Sequence, residues 1–149
     1  MQLWRISNYN DLSGKGGLVV SGRWHSKGRL VVYLAENQSL CMLETLVHLD
    51  LRADEVPDAY QLLCVDVDLS TSIMRLPDGY LEHGWSSKAP LTRSIGDQFL
   101  AEKQAALLRV PSALVPGQFN YLLNPDHPDS RLLQITSATK HPYDARFFS

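Results

Sequence analysis

The chain has 149 residues, 44% of them hydrophobic and 20% charged, and carries a formal net charge of -2. Such a balance belongs to folded globular domains rather than to disordered chains, and a single domain over residues 1–149 is the expectation for this length. Near-neutral charge without Lys/Arg clusters argues against direct nucleic-acid binding by this chain, because a polyanion needs clustered cations, although one or two arginines suffice for a small phosphorylated ligand.

The first residues, Met-Gln-Leu-Trp-Arg, have no basic stretch followed by an apolar run, and no apolar segment reaches bilayer-spanning length. No membrane association is expected, and the cytoplasm is the expected compartment. Residues 11–22 form a glycine-rich loop suited to turns or to close approach of a ligand. Its Gly-Lys-Gly-Gly order matches neither GxGxxG nor GxxxxGK[ST], which excludes the dinucleotide and P-loop fingerprints. Residues 30–35 are a β-branched and aromatic run that reads as a strand, with Tyr33 in its middle. A largely buried helix is expected from about Ser39, as N-cap, to Leu51.

Residues 61–69 alternate, with Leu63, Val65, Val67 and Leu69 on one face and Cys64, Asp66 and Asp68 on the other, the pattern of a half-buried strand. A loop rich in Pro, Gly and Trp fills 76–90, and 92–107 carries Ile95, Phe99, Leu100 and Ala106 at approximately helical spacing, with Pro111 at or beyond the helix end. Three short apolar runs at 112–115, 119–123 and 132–135, separated by Pro-Gly, Asn-Pro and His-Pro, read as strand-like segments. The whole describes a compact α+β domain with two main helices.

Glu44 stands out, since its helical neighbours three and four residues away are Leu40, Cys41, Val47 and His48. Two readings stay open. The carboxylate lies on an exposed helix edge or pairs with His48, or it lines a pocket where a fixed anion stabilises positive charge on a reacting sugar. Arg23 sits between the glycine loop and Trp24; its rigid fork of donors suits a diphosphate, while a solvated charge or local ion pair is the plainer alternative. Trp24 packs against an aromatic ligand or against the core, and Tyr33 is a strand tyrosine of either kind. Ser112 lacks the Gly-x-Ser-x-Gly context of a hydrolase nucleophile and reads as a hydrogen-bonding or positioning group. The five histidines and two cysteines show no ligand spacing, so no metal site is expected, and Cys41 and Cys64 read as buried thiols.

Taken in order, Leu3-Trp4-Arg5-Ile6-Ser7, Gly16-Gly17-Leu18, Ser21-Gly22-Arg23-Trp24-His25, Val32-Tyr33-Leu34-Ala35, Met42-Leu43-Glu44, Val110-Pro111-Ser112-Ala113 and Asn120-Tyr121-Leu122-Leu123-Asn124-Pro125 resemble the RES domain over nearly the whole chain. The resemblance implies a fold similar to that of ADP-ribosyltransferases. It also implies a toxin of a toxin–antitoxin pair, partnered by an Xre-type helix-turn-helix antitoxin. Its implied activity is cleavage of the nicotinamide–ribose bond of NAD by phosphorolysis or hydrolysis, with ADP-ribosylation of a cellular protein, or a non-catalytic antitoxin-binding module, as alternatives. NAD is then a substrate, with inorganic phosphate as a candidate co-substrate and no bound cofactor. On the same resemblance Arg23, Glu44 and Ser112 match the residues that name the family, Tyr33 is the aromatic partner between the first two, and Arg5, Trp24, His25 and Asn120 contact substrate. His25 departs from the pattern, where Asn is expected after Arg-Trp.

Overall fold

The structure, a computed structural model, describes residues 1–49 and 55–148. Its strands are β1 (Gln2–Ile6), β2 (Val32–Ala35), β3 (Ala59–Val67), β4 (Ile73–Arg75), β5 (Leu107–Pro111), β6 (Phe119–Leu123) and β7 (Leu133–Pro142), and its two α-helices are α1 (Gln38–Leu49) and α2 (Ala89–Glu102). The strands form one seven-stranded sheet in the order β4-β5-β6-β2-β1-β3-β7. Every pair is antiparallel except β4 with β5.

One face of the sheet buries Leu3, Val32, Leu34, Val65, Val67, Leu107, Tyr121 and Leu123 in a continuous cluster. Residues one step along the same strands point the other way, as the period of two requires. Leu108, Val110 and Leu122 there meet Phe99 and Leu100 of α2, together with Trp24 and Val31. Farther along the same face, Trp4, Ile6 and Ala35 meet Leu40 and Cys41 of α1. The two helices thus cover different strands of one face, and the 16–25 loop lies against the same region, while Leu12 packs on the opposite face.

The strands expected at 30–35, 61–69 and 119–123 are present as β2, β3 and β6, with shifts at their ends. Leu69 departs from the expected apolar face and is 97% exposed. The reason is local: Asp68 accepts hydrogen bonds from the Ser70 amide and hydroxyl, and its carbonyl accepts from Thr71, so the chain turns before Leu69 can pack. Cys64, expected on the wetter face, is buried, beside a bulge in the pairing with β7.

The N-cap of α1 is Asn37 rather than Ser39. The Asn37 side-chain carbonyl accepts from the Leu40 amide at 2.8 Å, and its amide donates to Gln118 at 3.0 Å, a tie that a serine is too short to make. Leu51, the expected last residue of this helix, lies outside the described residues. The helix α2 begins earlier than expected, with Pro90 in its first turn, where the missing N–H costs nothing. It ends at Lys103, which adopts the left-handed conformation (φ 53). Ala106 and Leu107, read as the end of that helix, belong to the chain entering β5, and Pro111 closes this strand instead of the helix. The run at 112–115 is a turn, and the run at 132–135 begins the longer β7.

Candidate functional site

The sheet face between the two helices holds a cavity of about 470 Å³. β1 contributes Trp4 and Arg5, β2 contributes Tyr33 and Ala35, and α1 contributes Cys41, Glu44, Thr45 and His48. The 16–25 loop closes one side, and Ala113 and Asn120 border the other. Of the eight residues singled out in the sequence, seven line this space: Arg5, Arg23, Trp24, His25, Tyr33, Glu44 and Asn120. Ser112 stands directly behind the wall, joined to Glu44.

Glu44 resolves the choice left open by its sequence. It makes no bond to His48; its Oε1 accepts from the Ser112 hydroxyl at 3.0 Å and from the Asn120 side-chain amide at 2.8 Å. Both bonds fall on one oxygen, so Oε2 has no protein donor among the described residues. Ser112 has no capacity left for another ligand. While its proton goes to Glu44, its oxygen accepts from the amides of Leu114 and Val115, both at 3.1 Å, in the turn that follows β5. Ser112 is therefore a positioning residue for the carboxylate, and 6% exposure keeps it out of the cavity.

The 20–25 loop is held rigidly by groups that the chain supplies from three directions. Gly22 and His25 bridge one another, Arg93 of α2 donates to the Gly22 carbonyl at 2.9 Å, and the buried Thr92 hydroxyl donates to the Arg23 carbonyl at 2.5 Å. The Tyr33 hydroxyl accepts from the Trp24 amide at 3.1 Å and meets His25 Nδ1 at 2.7 Å, while His25 Nε2 meets the Val20 carbonyl at 2.9 Å. A carbonyl only accepts, so Nε2 carries a proton, and in the neutral ring Nδ1 accepts a hydrogen bond donated by the Tyr33 hydroxyl. Burial pushes the Tyr33 phenol well above its ordinary value, so it holds that proton.

Two glycines permit this packing. A Cβ on Gly22 would overlap the Tyr33 hydroxyl, and one on Gly96 of α2 would overlap the Trp24 carbonyl oxygen. Trp24 itself faces inward, 2% exposed, and its ring lies 5.8 Å from that of Trp85. Its part in the cavity is thus that of a wall. The residues missed in the sequence, Thr92, Arg93 and Gly96, lie some seventy residues from the loop they hold; a glycine inside an apolar helix was the one signal available for them.

Arg23 projects from this braced loop and donates through Nη1 to the Ser86 carbonyl at 2.8 Å. Arg5 donates through Nη1 to the Asp11 carbonyl at 2.9 Å, and burial holds its guanidinium below the ordinary value against the opposing field of Asp11. Among the described residues neither arginine is ion-paired. Two half-buried guanidiniums with spare donors form a setting for an anion with several oxygens. Cys41 is an inert part of the wall: its burial pushes the thiol up to about 12. No group of three or more His, Cys, Asp or Glu side chains among the described residues could hold a metal ion. None of the described helices is long and apolar enough to cross a membrane.

The family model of the RES domain matches residues 2–145. A protein named Toxin Res from Pseudomonas putida (strain KT2440) is 47% identical over 148 residues, covering 99% of this chain and all of the relative. A Prs ADP-ribosylating toxin from Sphingobium sp. (strain YBL2) is 34% identical over 154 residues, covering 96% of this chain and 94% of the relative. Among solved structures, the M. tuberculosis MbcT–MbcA toxin–antitoxin complex contains a chain that superposes with a TM-score of 0.70 at 20% identity, over 99% of this chain and 86% of that one. At that identity the likeness concerns the fold.

Proposed function

This chain belongs to the RES-domain family, and from that premise we propose that it is the toxin of a toxin–antitoxin pair that cleaves the nicotinamide–ribose bond of NAD in the cytoplasm. The observation that carries the proposal is the anchored Glu44 carboxylate. One of its oxygens is fixed by Ser112 and Asn120, and among the described residues the other is unengaged and the two arginines that share its cavity have no ion pair. A substrate with a diphosphate at one point and a developing cation at another matches both signs of charge.

In this reading Arg23 and Arg5 bind the diphosphate, and the Tyr33 ring supports the nicotinamide ribose. The nicotinamide of NAD is cationic before cleavage, so it leaves as a neutral amide without a general acid. The barrier is the oxocarbenium character gained by the ribose at C1′. Glu44 stabilises that charge, or orients the 2′-hydroxyl, from a position that needs no rearrangement because Ser112 and Asn120 hold it beforehand. Water or inorganic phosphate then attacks C1′.

The relative named as an ADP-ribosylating toxin favours a second reading, in which the acceptor is a protein side chain and the NAD contacts are unchanged. The antitoxin, of the Xre helix-turn-helix type in this proposal, would silence the enzyme by covering the cavity mouth; the solved relative of similar fold is in complex with its antitoxin. Purified protein incubated with NAD labelled in the adenylate half tests the set. Release of nicotinamide with ADP-ribose points to hydrolysis, an added phosphate ester at C1′ to phosphorolysis, and label on a protein to transfer. Intact NAD, with folding confirmed, overturns the proposal.

A further inference from the structure

Helix α1 turns a stripe of side chains toward the cavity at helical spacing: Cys41, Glu44, Thr45 and His48. Three of the four have assigned roles. Cys41 is wall, Glu44 is the anchored anion, and the Thr45 hydroxyl is spent on the Cys41 carbonyl at 2.8 Å. His48 is different. It lies one turn beyond Glu44, is exposed, lines the cavity, and has no hydrogen-bond or ionic partner among the described residues. By contrast, the buried His25 has both ring nitrogens engaged.

We infer that His48 is the general base that takes the proton from the attacking water when C1′ of the NAD ribose is hydrolysed. The inference rests on the NAD-cleavage reading and deepens it. The step balances as follows: the C1′–N bond breaks, its electron pair going to the pyridinium nitrogen to give neutral nicotinamide. The water oxygen forms the C1′–O bond, and its proton passes to the imidazole and then to solvent. Glu44 is unsuited to this task for a chemical reason, since accepting the proton would cancel the negative charge that faces the oxocarbenium ion. Residues four apart on a helix have Cβ atoms about 5–6 Å from each other, which leaves room for one water between a carboxylate oxygen and an imidazole.

The other titratable and charged groups of the cavity do not compete. Arg5 of β1 and Arg23 of the loop are cations, the Cys41 thiol is pushed up to about 12, and Tyr33 and His25 are bonded to each other. An imidazole is also the side chain that exchanges protons near neutral pH, and a positioned base typically contributes on the order of 10²-fold or more.

The test compares wild type with His48→Ala and His48→Gln in nicotinamide release from NAD, with water or with azide as nucleophile. Azide is an anion that attacks without losing a proton. Both variants should melt as wild type does, hydrolyse NAD about 10²-fold more slowly, and lose the acid limb of the pH–rate profile, while azidolysis stays within about threefold of wild type. Added imidazole should restore hydrolysis by His48→Ala. Equal loss with water and azide, or hydrolysis at the wild-type rate, overturns the role of His48 and leaves NAD cleavage standing. Absence of nicotinamide release from wild type with either nucleophile overturns the underlying reading, and this inference with it.

Discussion

Replacing Glu44 by Gln separates what the carboxylate does for folding from what it does for chemistry. Glutamine keeps an oxygen at the position of Oε1, so the bonds from Ser112 at 3.0 Å and Asn120 at 2.8 Å both survive, with a neutral acceptor in place of an anionic one. A bond to a charged group contributes about 1.5–3 kcal/mol and a neutral one about 0.5–1.5, so the two exchanges together weaken the anchor by about 2 kcal/mol. Relief of a half-buried, unpaired charge acts in the opposite direction and is of similar size. The expected net change is within about 1 kcal/mol, which for a chain of this size moves the melting temperature by about 2–4 °C. Activity should behave otherwise. The new amide presents no charge at the position of Oε2, and loss of a preorganised electrostatic contact costs on the order of 10²–10³ in rate, or about 2.7–4 kcal/mol. Melting curves and nicotinamide release measured on one preparation decide the matter, and loss of growth arrest on expression without antitoxin follows from the same deficit. A stable variant with full activity refutes the catalytic assignment. A variant destabilised by about 3–5 kcal/mol, losing activity only with its folded fraction, makes Glu44 a structural charge instead.

Ser112→Ala removes a donor to Glu44 and the shared acceptor of the Leu114 and Val115 amides, so it should cost about 1–3 kcal/mol in denaturant unfolding and lower kcat through a less fixed carboxylate. Asn120→Asp sets a second carboxylate against Glu44, where an amide now donates at 2.8 Å, and should reduce NAD turnover more than Asn120→Ala does. Gly96→Ala should destabilise by about 1–3 kcal/mol in a thermal melt, although alanine is the better helix former, because the new Cβ overlaps the Trp24 carbonyl oxygen. Alkaline titration should reveal the buried wall: the Cys41 thiol is raised from 9.0 to about 12 and the Tyr33 phenol is raised from 10.0. The unfolded chain therefore loses these protons first, and stability present below pH 9 falls as pH rises toward 12, less steeply in Cys41→Ala.

The parts of the fold legible in the sequence are those where burial imposes a period. β3 shows it, whereas β2 and β6 are legible as short apolar and aromatic runs bounded by turn residues, with Glu36-Asn37 closing β2. β4 is three residues long and carries no period, while β1, Gln-Leu-Trp-Arg-Ile, has Leu3 and Trp4 side by side and so lacks a clean alternation. The run from Ala105 to Leu108 makes α2 and β5 look continuous in the sequence, because its residues are apolar throughout and the helix stops at Lys103 without a glycine. Burial on both faces of an inner strand removes the alternation that identifies a strand.

Glu44 was visible as a charge in an apolar helix, and the choice between exposure and pairing with His48 was not soluble from neighbours along that helix. Its partners come from the turn after β5 and from β6, 68 and 76 residues away. The same division runs through the whole cavity. The groups that hold the site, Ser112, Asn120, Thr92, Arg93 and the Tyr33–His25 pair, use bonds within the protein whose loss is felt as unfolding, whereas among the described residues Arg5, Arg23, Glu44 and His48 each leave donor or acceptor capacity in the cavity lining. Engaged and unengaged capacity even meet within one side chain at Glu44, where Oε1 is bonded to Ser112 and Asn120 and Oε2 has no donor among the described residues. A carboxylate satisfied on both oxygens would sit more comfortably in the apolar helix and could do less chemistry. The single-sided anchor fixes its direction while keeping its second oxygen available to an oncoming positive charge.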